Sequence, residues 1–437
     1  MLSKRTTLTT LAMVLLSAAQ AAAIPITLAW DRNPEPDVVR YLVSYGTSRG
    51  IYSVTRDAGN NTTVDIDGLT RGQTYYFVVR AVNSDGVVSD PSQELAYLAP
   101  MYPPQEPVFY NPATGTWSAP MTDVDNPGSS PASVPGWNVY EADFNNDGYT
   151  DFLLYNPVSG AWKKLTNQGH GTYAYFGNYN WSAGWVPQIA DFNGDGSSDL
   201  LLYNPANGRW YVGLANGLGD FAYVQSGIWS AGWTVTVANL NGDNRADLFM
   251  YNGNPAPDPN SGRWFRVLTR ADISFDYREG PVRWSTGWQV HPADFDANGQ
   301  GDLFLYNPAS GRYFQVMFSG DTASYYDGAW SAGWEVHTGD FNGDRRTDIF
   351  VYNPVTGRWF EVISGLAPRN FSYYEGAWSP AWRIKMTDFN HDGRTDLHVY
   401  DSTTGRYYEV TTVGIAAFDY LMGYNAMNAI VSFAGSR

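Results

Sequence analysis

The chain has 437 residues, no cysteine, 27 basic against 43 acidic side chains and a formal net charge of -16. That balance argues against a nucleic-acid partner, whose phosphates are met by clustered Lys and Arg, and the missing cysteines exclude disulfides and thiol nucleophiles. Aromatic residues make up 16% of the chain, with 17 Trp and 31 Tyr, so many small cores or an aromatic surface must house them.

Residues 1–23 have the layout of a secretory signal peptide: Lys4 and Arg5, an apolar run from Leu8 to Leu16, then SAAQAAA. Cleavage is expected near Ala21 or Ala23. An apolar run this short does not span a bilayer, and no later stretch approaches the roughly 20 apolar residues of a membrane helix. The expected product is soluble and secreted or held at the cell surface. Without disulfides its stability must come from core burial, oligomerisation or bound metal.

Residues 24–98 read as a small all-β domain. The apolar segments ITLAW, YLVSYG, TTVDIDGL and TYYFVVRAVN alternate with turn-rich pieces such as DRNPEPD and NSDGVVSDPS. With Trp30 in the early strand and Leu69, Gly72 and Tyr75 at the corner before the penultimate strand, this segment resembles a fibronectin type III domain. Such a module implies a spacer or an interaction role. A proline-rich linker follows at 99–106 and is expected to act as a short semi-rigid spacer.

From residue 107 to 437 the chain repeats itself. YNP or a close variant begins at Tyr110, Tyr155, Tyr203, Tyr251, Tyr306, Tyr352 and Tyr400, and the one long interval carries the insertion GNPAPDPN. A period in the forties with several short strands per unit predicts a β-propeller of seven blades. The first unit lacks a preceding acidic loop and the segment after the last lacks a YNP. Together they predict one blade closed by a C-terminal strand around Ile430 to Phe433, which removes an exposed edge.

Aligning the units on YNP brings six acidic loops into register: Asp143, Asn145, Asp147 and Asp151; Asp191, Asn193, Asp195 and Asp199; Asn239, Asn241, Asp243 and Asp247; Asp294, Asp296, Asn298 and Asp302; Asp340, Asn342, Asp344 and Asp348; Asp388, Asn390, Asp392 and Asp396. Oxygen-bearing side chains thus recur at positions one, three, five and nine. Calcium takes six to eight oxygen ligands, which a tight loop supplies from alternate side chains and a backbone carbonyl. That carbonyl is assigned to Tyr149, Ser197, Arg245, Gln300, Arg345 and Arg394. The competing reading is that Asp, Asn and Gly simply make good turns; six copies in register favour Ca2+. The third loop, with Asn239 at position one, is the weakest. Six divalent ions would take the charge of the processed chain from -18 to -6, so calcium is expected to act as a folding cofactor.

The loop pattern resembles the calcium-binding FG-GAP and VCBS repeats of integrin α-subunit propellers. It is also similar to the repeats of seven-bladed fungal and bacterial lectins of the Psathyrella velutina type. The likeness covers about residues 105–437 and implies a calcium-binding propeller.

Between blades, WSAGW or a variant recurs with its first Trp at Trp181, Trp229, Trp284, Trp330 and Trp378 and its second at 185, 233, 288, 334 and 382. In a four-stranded meander this crossover and the YNPxxGR turn lie on the face opposite the acidic loops. Sugars stack their C–H faces on Trp and Tyr and pair their hydroxyls with Asn, Asp and Arg. The first Trp of each crossover and Arg209, Arg263, Arg312, Arg358 and Arg406 are therefore candidate glycan contacts. Packing between blades would place the same Trp at the same spacing, and each Arg could merely pair with a nearby carboxylate. The second Trp, followed by an apolar strand, reads as structural.

No HExxH, no GxSxG and no thiol marks an active site. His291 and His337 share a repeat position, three residues before a loop aspartate, which suits a packed histidine better than a base. No catalytic residue is assigned, and the reading is a calcium-binding, multivalent lectin-like protein whose partner is a glycan or a cell-surface molecule. An adhesin-like interaction scaffold and a propeller polysaccharide lyase are the alternatives.

Overall fold

The computed structural model describes residues 24–437 except 71–72, 99–105, 119–121, 124–133, 169–171, 218, 391, 425–429 and 435–437. The leader, Gly72, His170, His391 and most of the linker lie outside the described residues. All regular structure among the described residues is β, so no helix is long and apolar enough to cross a membrane. The chain divides into two compact units, Met1–Pro104 and Gln105–Arg437.

In the first unit Ile24–Ala29 pairs with Thr63–Leu69, and a second sheet runs in the order Val54–Gly59, Val38–Gly46, Thr74–Asn83, Leu95–Leu98. Tyr41, Val43, Ile66, Phe77 and Val79 fill the space between them. Trp30 lies just past the end of the first strand, a small correction to its predicted place, and meets Tyr41 edge-on at 5.4 Å. The Tyr75 hydroxyl accepts the Thr70 N–H at 2.9 Å, the corner bond of this class of sandwich.

The second unit is a series of antiparallel four-stranded sheets in chain order, spanning 138–180, 186–228, 234–279, 289–329, 335–377 and 383–424. They are called sheets one to six below. Thr122–Asp123 adds to the outer edge of sheet one in parallel. A further sheet joins the two ends of the unit: Ile430–Ala434 pairs with Glu106–Asn111, which pairs with Thr116–Trp117. The first strands of sheets one to five lie against one another in succession, and Ile430–Ala434 lies against the first strand of sheet one. These sheets fit the blades of a propeller.

Packing on both faces accounts for the unbroken apolar runs. The second strands DFLLY, DLLLY, DLFMY, DLFLY, DIFVY and DLHVY are buried at every position, so the alternation of a half-exposed strand is absent. The YNP tyrosine is the staple of sheets one to five. In Tyr352 the O–H donates to the Ser379 carbonyl at 2.9 Å and the oxygen accepts the Trp382 N–H at 3.1 Å. Tyr155 and Tyr306 repeat both bonds. The turn after the second strand is thereby tied to the crossover that leads to the next sheet.

Each third strand carries a Trp or Tyr that lies flat over a glycine of the outer strand. A Cβ on Gly376 would fall 2.1 Å from the Trp359 ring, and one on Gly227 2.5 Å from Trp210. Gly376→Ala is expected to cost roughly 1–3 kcal/mol by overpacking, read as a lower urea midpoint with an unchanged slope.

Polar hooks join neighbouring sheets from one position of the third strand. Lys164 Nζ donates to the Gly217 carbonyl at 2.6 Å, Arg266 to that of Gly320 at 2.7 Å, and Gln315 Oε1 accepts the Arg369 N–H at 2.9 Å. Glu361 likewise accepts the Ala416 N–H. Burial pushes the Lys164 ammonium down to about 8 and the Glu361 carboxyl up to about 7, the expected direction when charge leaves water.

Candidate metal loops and aromatic clefts

The six acidic stretches connect the first and second strands of the six sheets. Their carboxylates first organise the backbone. At position one, Asp143 accepts the N–H groups of Asp147 at 3.2 Å and Gly148 at 3.0 Å. Position five accepts the N–H of position seven, as in Asp195 to Ser197 and Asp392 to Arg394. In the fifth loop that donor is Arg346. The position-seven assignment to Arg345 is therefore corrected: Arg345 has a φ of 68° and occupies the left-handed site that glycine fills in the first, second, fourth and sixth loops.

Position nine holds the loop shut. Asp199 takes the Phe192 N–H on Oδ2 at 3.0 Å and, across the sheet, the Ala215 N–H on Oδ1 at 2.8 Å. Asp151, Asp247, Asp302, Asp348 and Asp396 make the same two bonds. All six are fully buried. Burial pushes their carboxyls up, to about 8 in Asp151, about 7 in Asp199, Asp302, Asp348 and Asp396, and about 6 in Asp247, while the amide bonds pull partly back. The ninth aspartate thus has a structural role that sequence spacing did not separate from ligation.

The donor set suits a hard divalent cation. Every side chain at positions one, three, five and nine offers oxygen, and a carboxylate oxygen bonded to one amide retains a lone pair. In the fourth loop, carboxylate oxygens of Asp294, Asp296 and Asp302 lie within 4.8 Å of one another. Successive loops are also linked, because the N–H at position eight donates to the position-one carbonyl of the loop before it. Ser198 to Asp143 and Thr395 to Asp340, both 2.6 Å, are examples.

Away from the loops, the same set of aromatic contacts recurs between successive sheets. Between sheets one and two these rings line a cleft, a cavity of about 480 Å³ bounded by Trp162, Trp181, Trp185, Tyr211, Tyr223 and Asp220, among others. Trp181 stacks on Trp162 of its own sheet at 4.8 Å, and its Nε1 donates to the Tyr223 hydroxyl of the next sheet at 2.9 Å. Trp185 meets Tyr211 edge-on at 5.6 Å. Trp229 stacks likewise on Trp210, Trp330 and Trp378 pack at a tilt on Tyr313 and Trp359, and the three donate to Tyr277, Tyr373 and Tyr420. Trp284 packs on Trp264 and faces Tyr325 edge-on.

The predicted first tryptophans therefore divide themselves: one face packs in their own sheet, and they are half-buried. The second tryptophans are buried at 185, 233, 334 and 382 and half-buried at 288. What sequence reasoning missed is the outer-strand tyrosine. Tyr223, Tyr277, Tyr325, Tyr373 and Tyr420 are 36–51% exposed at the cleft mouths, and their signal was a Tyr two to four residues before a glycine in each unit. Burial of its hydroxyl end pushes the Tyr223 phenol up to about 12, so it stays a neutral donor.

The arginines divide as well. Arg263 pairs with Glu279 at 2.7 Å and Arg358 with Glu375 at 2.6 Å, each within its own sheet and over the ring two residues on. Arg406 lies over Trp382 and Tyr408, Arg312 over Phe314, and Arg209 is exposed. Burial pushes His291 and His337 down to about 4, which leaves both neutral at pH 7.

Two family models match parts of the chain: an FG-GAP-like repeat at residues 191–250 and a fibronectin type III domain at 15–96. No curated protein matches. Among solved structures, a periplasmic gluconolactonase of Pseudomonas aeruginosa shares 12% identity over 91% of this chain and 99% of its own, with a TM-score of 0.46. An Agrocybe aegerita lectin, solved for its specific recognition of non-reducing terminal N-acetylglucosamine, shares 13% identity over 76% of this chain and 95% of its own, with a TM-score of 0.57. The chain is thus similar in fold to a lectin propeller and carries an FG-GAP-like repeat behind a fibronectin type III domain.

Proposed function

We propose that this chain is a secreted, calcium-stabilised propeller of seven blades that binds glycans at several equivalent clefts, carried behind a fibronectin type III module. The observation that carries the reading is the repeated cleft, in which two Trp, a third-strand aromatic and an exposed outer-strand Tyr converge between neighbouring sheets. Amphipathic rings with one polar end suit the C–H face and hydroxyls of a sugar. Equivalent weak sites on one scaffold gain avidity for a repeating surface. The fold likeness to a lectin that recognises terminal N-acetylglucosamine supports the same class of ligand. In the seven-blade reading, the sheet built from Ile430–Ala434, Glu106–Asn111 and Thr116–Trp117 closes the ring beside sheet one. Calcium would be held by side chains at positions one, three, five and nine, where its charge offsets buried carboxylates.

A glycan array that includes N-acetylglucosamine-terminated structures, run in calcium and again in chelator, tests this. Binding to a defined sugar class that is lost with calcium is expected. A blank array from protein shown to be folded overturns the lectin reading and leaves the interaction scaffold, to be pursued by partner capture.

A further inference from the structure

The third loop combines two features that no other loop has together. Position one is Asn239, so the carboxylate found there elsewhere is missing. At position seven Arg245 turns into the loop: its guanidinium meets Asp243 Oδ2 at 2.5 Å and its Nε donates to the Thr269 carbonyl at 3.3 Å. The Asn239 side-chain amide donates to the Asp243 carbonyl, placing an N–H donor in a loop whose counterparts present acceptors at that position. An arginine at position seven does not do this by itself. The Arg394 side chain, in the same register of the sixth loop, donates to the Val413 carbonyl instead, and among the described residues Arg394 and Arg346 meet the position-five aspartate of their loops through the backbone N–H and not through the guanidinium.

We infer that the third loop is not a metal site: Arg245 is its built-in cation, and the remaining five loops are the ones that take a divalent ion. The inference rests on the calcium reading of those five loops. A guanidinium and a hard dication compete for the same carboxylate oxygens, and removing one carboxylate while adding one fixed positive charge shifts that competition decisively. Sheet three then holds its loop at any calcium concentration, giving the unit one member whose connection needs no ion.

The test counts bound calcium on the full chain, stripped and reloaded, by native mass spectrometry. Wild type is expected to carry five ions, and the double variant N239D/R245S one more. Amide exchange in chelator is the second measurement, and needs no variant. Residues 239–247 should keep their protection while the equivalent stretches of the other five loops lose theirs. A wild-type count of six, a double variant that gains no ion, or calcium-dependent protection at 239–247 overturns the inference and leaves the calcium reading standing. A count of zero in wild type overturns the calcium reading itself.

Discussion

Chelation is expected to lower the thermal midpoint of the second unit by roughly 20 °C or more. A ligand that binds only the folded state adds about 2.7 kcal/mol per site at a hundredfold excess over its dissociation constant, and in a unit this large each kcal/mol moves the midpoint by about 2–4 °C. The pH dependence should then reverse with the ion. In calcium-free protein the position-nine carboxyls titrate at about 6 to 8, above their usual value. A raised folded value means that the contribution is fully present below the unfolded value near 4 and is lost as pH rises through about 7. Metal-free protein is therefore expected to melt higher at pH 5.5 than at pH 8, and calcium-saturated protein the other way round, since the ion binds the ionised form. Calorimetry at the two pH values, with and without chelator, reads both signs. Midpoints unmoved by chelator would remove calcium from the account.

Replacing the five cleft tyrosines, Tyr223, Tyr277, Tyr325, Tyr373 and Tyr420, together by Ala is expected to reduce avidity for a glycan-coated surface by about 10²–10⁴-fold. Any one of the substitutions should leave most of it. The tyrosine is the informative probe because it is exposed at the cleft mouth and contributes little to the core. The tryptophans are not: Trp181→Ala would also strip the stack on Trp162 and cost about 3–5 kcal/mol of fold, so lost binding there would not distinguish contact from collapse. Surface plasmon resonance on the sugar class found by the array gives the comparison. A five-Tyr variant that melts like wild type and still binds fully would move the ligand away from the clefts.

Much of the architecture was legible in the chain. The period of the YNP turns, the paired flanking aromatics and the apolar five-residue runs are repeated chemistry, and repetition separates a packing rule from chance. The all-β class and the pairing of the C-terminal strand with the segment near Val108 could both be read in this way. Roles inside the repeat were not. Asp199 could be ligand or backbone clamp, because both uses need an oxygen at one spacing, and only the folded positions of Phe192 and Ala215 separate them. Arg263 and Arg358 could meet a sugar or a carboxylate, and the outer strand supplied Glu279 and Glu375.

By itself, then, the sequence determined where strands start and turn, that oxygen donors recur in register and that aromatic rings flank every crossover, since these follow from local backbone chemistry and periodicity. Only the tertiary structure decided which ring faces solvent, which carboxylate is buried against amides and which arginine turns into its loop. Those outcomes depend on contacts between residues about 16 to 55 positions apart in the chain, and for Arg245 on the Thr269 carbonyl 24 positions away as well as on nearby Asp243, which no local pattern encodes.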